Sequence, residues 1–273
     1  MPEGHTIHRL ARQHKRLLRG VPLRVSSPQG RFAAGAARLD GARLTGTEAY
    51  GKHLYHRYRT DGGELLRLHV HLGLAGKFFT GSGTAPAPTG AVRLRVETGT
   101  AWLDLRGPNA CELHTPADQK ALYARLGADP LRPDADPDAA YRRISRSAVA
   151  IGQLLMDQSV LAGVGNIYRA EILFRHRISP YRRGRELPGD AWATLWPDLV
   201  ALMREGVRTG RIDTVRPEHE PAAMGRPPRV DPHGGEVYVY RRAGAPCHVC
   251  GTAVSVAEMA ARNLFWCPTC QPS

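Results

Sequence analysis

The chain has 273 residues, enough for one large or two ordinary domains with a small additional module. No apolar run approaches the about 20 residues that a membrane-spanning helix needs, and the N-terminus lacks the apolar stretch of a secretory signal. Lys and Arg outnumber Asp and Glu by 38 to 25, a formal net charge of +13, which favours a polyanionic partner such as DNA or RNA. Because Arg, Ala, Gly and Pro are all abundant, part of this excess also fits a GC-rich genome.

The first half of the chain predicts one helix followed by a sheet. Apolar residues in the segment 3–19 recur on one face of a helix. In the segment 53–107, apolar and polar residues alternate, as in Leu66-Arg67-Leu68-His69-Val70-His71. Period two with Gly-rich breaks predicts antiparallel strands with one solvated face, and the segment 81–90 is expected to be a loop between strands.

The second half of the chain is predicted to be helical. A Pro/Asp-rich linker, 127–140, precedes two apolar segments within 148–175 that are separated by Gly163-Val164-Gly165-Asn166. Residues 190–206 keep helical spacing, and 216–235 contain five Pro and three Gly, which predicts an irregular, mobile loop.

Four of the five cysteines form two C-x2-C pairs separated by 16 residues: Cys247, Cys250, Cys267 and Cys270. Two such turns place four thiolates around a tetrahedron, the geometry that zinc prefers. Four protein ligands close the coordination shell, so this zinc is expected to be structural. The alternative, two redox motifs, is not supported by a nearby βαβ pattern. With Cys111 unpaired, the odd count favours a reduced, cytosolic protein.

Two sites in the second half suit a phosphate group, although each also has an ordinary structural explanation. Asn166 is a good N-cap for the helix after the glycine turn, and free N–H groups at that helix start would suit a phosphate. The alternative is a common corner between two helices. Arg262 lies between the two cysteine pairs, where a hairpin would present it to a phosphate or simply to solvent.

The N-terminal Met1-Pro2-Glu3 is a common start, but it has chemical potential. Removal of Met1 exposes the secondary amine of Pro2, and an α-amino group has a pKa of about 7.7–8.0, so a useful fraction is nucleophilic at neutral pH. Attack on C1′ of a sugar gives an iminium ion that makes the C2′ proton acidic and permits loss of the 3′ phosphate. Glu3 stands beside it as an acid or base.

Taken together and in this order, these segments resemble the Fpg/Nei family of DNA glycosylases/AP lyases. The resemblance spans essentially the whole chain. The matching segments are Met1–Thr6, Gly51–Leu54, His71–Gly76, Asp104–Arg106, Leu161–Glu171, Tyr240–Cys247 and Arg262–Gln271.

The resemblance implies an α+β multidomain fold with three parts. Residues 1–126 would form an antiparallel β-sandwich with an N-terminal helix, and 127–235 a helix–two-turn–helix domain that includes the loop 216–235. Residues 236–273 would form a zinc-finger β-hairpin with one Zn²⁺ per chain. It also implies a monomeric bacterial protein that lies in the cytoplasm, associated with the nucleoid. Its partner would be damaged DNA, and it would not associate with a membrane.

The resemblance also implies roles for individual residues. Pro2 would be the Schiff-base nucleophile and Glu3 the proton donor in base removal. Lys52 would contact phosphate and assist β-elimination. Arg262 would hold the phosphate beside the lesion and assist δ-elimination.

Four further positions match the family. Asn166 would bind the same backbone, Leu74 would fill the gap left by the flipped nucleotide, and Arg106 would face the orphaned base. Flipping costs a few kcal/mol, least at a damaged base. Glu171 is expected to order the N-terminus.

Three departures from the purine-repair pattern favour the Nei branch (endonuclease VIII), which acts on oxidised pyrimidines. The start is Pro-Glu-Gly-His-Thr, Arg106-Gly107-Pro108-Asn109 offers no Phe for insertion, and Gly152 stands where a phosphate-binding Lys is usual. The alternatives are the same chemistry on oxidised purines (formamidopyrimidine or 8-oxoguanine), a non-catalytic zinc-containing DNA-binding protein, and, on charge alone, an RNA-processing protein.

Overall fold

The computed structural model describes residues 2–231 and 235–272. The chain divides into two compact units, Met1–Arg125 and Leu126–Ser273. The first unit opens with helix α1 (Gly4–Leu18), which buries Ile7, Ala11 and Leu18 on one face and exposes charged residues on the other.

Two four-stranded antiparallel sheets enclose the apolar core of the first unit. One sheet has the order β1 (Arg24–Ser26), β6 (Val92–Glu97), β7 (Ala101–Arg106), β5 (Lys77–Ser82). The other has the order β2 (Arg43–Tyr50), β3 (His53–Arg59), β4 (Leu65–His71), β8 (Ala110–His114). Two short helices, α2 (Ala33–Leu39) and α3 (Pro116–Tyr123), complete the unit. The predicted β-sandwich with an N-terminal helix is confirmed.

The alternation in β4 places its apolar residues in the core, but the prediction of a solvated second face is wrong at one position. Leu66, Leu68 and Val70 are buried, as expected, whereas His69 is only 4% exposed. On β6 the same prediction fails at Arg95, which is buried against the fully buried Asp104 with N–O distances of 2.7 and 2.8 Å. Both residues are buried with polar partners, which periodicity cannot reveal.

The second unit contains five helices and one β-hairpin in the part of the chain that is described. The helices are α4 (Pro137–Ile144), α5 (Ile151–Leu154), α6 (Asn166–Arg175), α7 (Gly189–Thr209) and α8 (Pro221–Met224), and the hairpin pairs β9 (Ser255–Met259) with β10 (Arg262–Trp266). Helix α6 is the centre of this unit, because nine of its ten residues are buried. Val254 and Phe265 of the cysteine segment belong to the same core as the helices.

Two local predictions for the second unit are adjusted by the structure. Before the glycine turn, only Ile151–Leu154 is helical, and most of 155–165 consists of turns. The linker 127–140 already includes the start of α4, whose first turn is capped by Asp136. No helix in the described ranges is both long and apolar enough to cross a membrane.

The predicted loop 216–235 is more ordered than its composition suggests where it is described. It contains a 3-10 turn (Pro217–His219) and helix α8. Arg226 pairs with Glu236 at 2.8 Å, and Arg229 pairs with Asp231 at 2.8 Å. Residues 232–234 lie outside the described part of the chain.

Candidate active site and zinc centre

The N-terminus of the first unit presents Pro2 and Glu3 directly before α1. Pro2 is half-buried, while Glu3 is 1% exposed and occupies the N-cap position in an extended conformation. The main-chain oxygen of Glu3 accepts a hydrogen bond of 2.9 Å from Thr6 N. Met1, whose removal would free the amine of Pro2, lies outside the described residues.

Lys52 lies in the tight turn between β2 and β3. The preceding Gly51 has φ +56°, a backbone conformation that favours glycine. Lys52 is half-buried and lies near His71. Burial of the His71 ring lowers its pKa, and the positive charge of Lys52 lowers it further. The turn therefore holds an ammonium group at the edge of the second sheet.

Leu74 follows β4 and Arg106 ends β7, and the loops after these two strands touch each other within the first unit. Leu74 is 67% exposed in the turn after β4. A Cβ at Gly73 in this turn would lie 2.9 Å from the side chain of Asn109, which follows β7. Arg106 ends β7, 3.5 Å from Asp104 and with its guanidinium 4.5 Å from the ring centre of Phe79. The two predicted base-stack residues thus belong to one edge of the sandwich.

In the second unit, Asn166 has a different local role from the one predicted. Helix α6 begins at Asn166 itself, with Gly165 at the N-cap, so the prediction that Asn166 caps the helix is wrong. Its side-chain Nδ2 instead donates to the main-chain oxygen of Asn263 at 2.9 Å. The fully buried Arg169 donates to both Asn166 Oδ1 and the same Asn263 oxygen. Asn166 therefore joins the helix–turn–helix element to the hairpin.

Arg262 is exposed at the first position of β10, directly after the hairpin turn. Ala260 and Ala261 form this turn with φ +53° and +55°, and Arg262 pairs with Met259 across it. Positive φ at both central residues defines the tight turn that matches strand twist. The turn and Arg262 border an open cavity, together with Gln153 and other residues of 149–157.

The four predicted cysteines converge at the base of the hairpin. Their Sγ atoms all lie within 4.8 Å of one another, with Cys247–Cys270 at 3.9 Å and Cys250–Cys267 at 3.4 Å. Zinc–sulfur bonds of about 2.3 Å in a tetrahedron require separations of about 3.8 Å, so the four thiolates fit one zinc ion. All four positions are taken by protein, which makes this zinc structural. Cys111 is buried in the sandwich core, and burial raises its pKa to about 12.

Glu171 orders a segment of the second unit. Its fully buried carboxylate accepts main-chain N–H bonds from Tyr238, Val239 and Tyr240 at 2.7, 2.9 and 2.9 Å. The hydroxyl of Thr214 donates a fourth bond at 2.5 Å. Four bonds fill the acceptor capacity of a carboxylate. The side chain of Glu171 therefore holds the segment 238–240, whereas the resemblance implied that it orders the N-terminus.

The packing around Gly152 leaves no room for a lysine side chain at this position. A Cβ there would lie 2.9 Å from Pro180 O and 3.0 Å from the sulfur of Met259. The close approach of α5 to these neighbours requires glycine. The substitution relative to the purine-repair pattern is therefore built into the packing of this unit.

Comparison with known proteins covers nearly the whole chain. Residues 1–111 match the formamidopyrimidine-DNA glycosylase N-terminal domain, residues 126–217 its H2TH domain, and residues 244–272 the zinc finger found in FPG and IleRS. The chain is 50% identical over 275 residues to Endonuclease 8 1 of Mycobacterium tuberculosis, covering 99% of this chain and 100% of that protein. The chain belongs to the Fpg/Nei family of DNA glycosylases/AP lyases.

Other members of the Fpg/Nei family are more distant. Probable endonuclease 8 2 of Streptomyces coelicolor is 34% identical over 283 residues, 99% of this chain and 94% of that protein. Among solved structures, a Lactococcus lactis FPG mutant in complex with DNA containing Fapy-dG has a TM-score of 0.80 at 21% identity, with 100% of both chains covered. The predicted family, its fold, the enzyme class of DNA glycosylase with AP lyase activity in base excision repair, and the structural zinc are confirmed.

Proposed function

We propose that this enzyme removes oxidised pyrimidines from DNA through a Schiff base at Pro2 and then nicks the strand by β,δ-elimination. The observation that carries the proposal is the arrangement at the N-terminus, where Pro2 leads directly into α1 and Glu3 is 1% exposed at its start. A buried carboxyl group next to a terminal secondary amine provides an acid and a nucleophile at one place.

The proposed chemistry begins with base removal. The neutral amine of Pro2 attacks C1′ as the glycosidic bond breaks, and Glu3 supplies the proton that accompanies the departing base. The nitrogen lone pair then forms the iminium, with ring opening of the sugar. No external oxidant or reductant is needed, because the enzyme's nitrogen replaces the base nitrogen at C1′.

Strand cleavage follows from the same intermediate. Loss of the C2′ proton pushes electrons towards the iminium and breaks the C3′–O3′ bond, and a second elimination breaks the C5′–O5′ bond. We assign phosphate contact and assistance of the first elimination to Lys52, on the β2–β3 turn. We assign the neighbouring phosphate and assistance of the second elimination to Arg262, exposed at the tip of the hairpin. Hydrolysis of the iminium frees Pro2.

The roles in DNA positioning rest on exposure and neighbours. Leu74, 67% exposed, is assigned to the gap left by the flipped nucleotide, and Arg106 to the unpaired base opposite. Asn166 is assigned to the DNA backbone through the hairpin that it supports. The net charge of +13 suits phosphate binding, which should weaken steeply with added salt.

The preference for pyrimidines is supported by the tight loop after β7 and by the named relatives. The loop 107–109 has no Phe to insert into the base stack, and Leu74, 67% exposed, is the side chain that we assign to this role. The relatives at 50% and 34% identity are named endonuclease 8 proteins, whereas a formamidopyrimidine-DNA glycosylase of Thermomicrobium roseum is 32% identical over 254 residues. We further propose that the enzyme works as a monomer on damaged DNA in the bacterial cytoplasm, at the nucleoid. Its functional parts would be 1–126, 127–235 and 236–273.

A borohydride trap tests the chemistry. Reduction is expected to link the wild-type chain covalently to DNA that contains thymine glycol or an abasic site, and an uncleaved N-terminal extension should abolish the link. Glu3→Gln should still trap on abasic DNA but lose base excision, because only excision needs the proton donor. Glu64→Gln, at an exposed ion pair with Arg38, serves as the control and should behave as wild type. Failure of the wild type to trap on abasic DNA would overturn the proposal.

Substrate choice is tested separately on a panel of thymine glycol, dihydrouracil, 8-oxoguanine and uracil. We expect the two oxidised or reduced pyrimidines to be released first. Rapid release of 8-oxoguanine with slow release of both pyrimidines would assign the enzyme to purine repair while leaving the Schiff-base chemistry intact.

A further inference from the structure

A cluster of polar aromatic side chains and one carboxylate covers the outer face of the second sheet, away from the apolar core of the sandwich. Strand register brings these residues together: His69 of β4 lies opposite Glu112 of β8 and Tyr55 of β3. The members of the cluster are His53, Tyr55, His69, His71, Glu112 and His114. All of them except the buried Tyr55 border a surface cavity of about 640 Å³, to which helix α3 also contributes. None of the catalytic roles assigned above uses this cluster.

Three members of the cluster present ligand atoms to one point. Glu112 Oε1 lies 3.2 Å from His69 Nδ1 and 3.1 Å from His114 Nε2, and all three atoms lie within 4.8 Å of one another. Bonds of about 2.1 Å to a tetrahedral zinc ion require ligand separations of about 3.4 Å. The two separations from Glu112 are within about 0.3 Å of this value, and the two histidine nitrogens are at most 4.8 Å apart before an ion draws them together.

We propose that His69, Glu112 and His114 form a second metal site that binds one divalent transition-metal ion of the Zn²⁺ type. Two imidazoles and one carboxylate are a ligand set that zinc accepts with a fourth position open. That position opens onto the cavity, so water or a small anion can complete the shell. The site differs from the four-cysteine centre in ligand chemistry and lies in the other unit of the chain.

The second ring nitrogens of both histidines have partners, as ligand histidines normally do. His69 Nε2 lies 3.0 Å from His53 Nδ1, and His114 Nδ1 lies 2.8 Å from the hydroxyl of Tyr55. With the metal on His69 Nδ1, the proton resides on Nε2 and is donated to His53. With the metal on His114 Nε2, the Nδ1–H is donated to the Tyr55 oxygen. These bonds fix the orientation of both rings towards Glu112.

The rings are also held by packing. The His69 and His114 rings stack with centroids 4.4 Å apart, and the His53 ring stacks on His69 at 5.2 Å. Because packing already holds both rings in place, they lose little conformational entropy when a metal binds.

Zinc titration calorimetry tests the site on the full-length protein that already carries its cysteine-bound zinc, verified as one equivalent by elemental analysis. Zn²⁺ added as the chloride is expected to bind as one further equivalent per chain. Glu112→Gln and His114→Gln, at positions whose side chains are 55% and 16% exposed, should each weaken this binding by about tenfold or more. Tyr55→Phe should weaken it by a smaller factor, because it removes only the orienting hydrogen bond.

His176→Gln is the matched control, since His176 pairs with Asp198 at 3.0 Å in the second unit and does not belong to the cluster. It should retain the extra equivalent. A rise in Tm with added Zn²⁺, present in wild type and absent in Glu112→Gln, provides a second readout that does not depend on activity. Absence of the extra equivalent in wild type, or unchanged binding in both ligand variants (an adventitious ion only), would overturn the proposal.

Discussion

Asn166 Nδ2 donates a 2.9 Å hydrogen bond to the main-chain oxygen of Asn263, next to Arg262. The bond joins the first residue of α6 to the second residue of β10, 97 positions later. Because Asn166 is only 8% exposed, the bond is shielded from water and orients the strand that carries the arginine. The helix–turn–helix element and the zinc hairpin therefore act as one support for Arg262, the side chain that we propose binds a phosphate.

Asn166→Ala should loosen this support. Loss of a buried hydrogen bond costs about 1–2 kcal/mol, so DNA affinity is expected to fall by roughly tenfold, while zinc content remains at one equivalent. Equilibrium binding to abasic-site DNA and elemental analysis provide the two measurements. Asn263→Ala is the control, because the acceptor is a main-chain oxygen that alanine keeps. Equal losses in both variants would show that the Asn263 side chain, rather than the bond to Asn166, is responsible.

Glu171→Gln should destabilise the second unit. The carboxylate accepts four hydrogen bonds, and a glutamine amide would direct an N–H group at main-chain N–H donors of 238–240. An unsatisfied buried donor pair costs about 3 kcal/mol, measurable as a lower free energy of unfolding in urea. Glu205→Gln, on the exposed face of α7 beside Arg208, is the control and should change stability little. A stable Glu171→Gln protein would show that the segment does not depend on the carboxylate.

Features encoded by short-range spacing could be predicted from the sequence. The cysteine pairs, the glycine turn before α6 and the alternating strands are each defined by residues a few positions apart. The proposed roles of Pro2 and Glu3 come from the family resemblance, because Met-Pro-Glu alone is a common start. These patterns also carry the family resemblance, which extended the prediction to Lys52, Leu74 and Arg106.

Features that depend on long-range pairing could not be predicted. The carboxylate of Glu171 bonds to residues 67 to 69 positions away, and nothing in its local sequence indicates them. The sequence alone predicts a solvated strand position for His69. Only the register of β4 with β8 shows that it lies opposite Glu112. Asn166 is a sound N-cap candidate by local rules, yet a tertiary bond to Asn263 takes its side chain.

The turn of the zinc hairpin offers a stabilising change. Ala260 and Ala261 both adopt the left-handed backbone region, which costs an L-residue with a Cβ about 1 kcal/mol relative to glycine. Asn at 260 and Gly at 261 are the residues that this turn favours. The double variant Ala260→Asn, Ala261→Gly should slow zinc release to a chelator and raise Tm, and Ala260→Val should do the opposite. If both variants released zinc at the wild-type rate, turn strain would not limit the opening of the hairpin.

A buried pair of histidines predicts how stability depends on pH. His14 Nδ1 lies 3.0 Å from His56 Nε2, both side chains are fully buried, and His56 Nδ1 lies 3.0 Å from the hydroxyl of Tyr58. Burial lowers the pKa of both histidines, that of His56 to about 4, while the unfolded chain keeps values of about 6.5. None of these neighbouring side chains is acidic. No negative charge among them therefore compensates a protonated ring for the hydration that it loses on burial.

At pH values between the lowered native pKa values and about 6.5, the unfolded state therefore binds more protons than the native state. The free energy of unfolding has its full value above pH 6.5 and decreases as the pH falls. Each histidine lowers it by about 1.4 kcal/mol per pH unit until the native pKa of that histidine is reached. Urea unfolding of wild type and His14→Gln across pH 7 to 5 measures this dependence. The variant should lose about one proton of uptake on unfolding, whatever its absolute stability. Parallel pH profiles for the two proteins would mean that His14 is protonated in the native state, contrary to its burial beside His56.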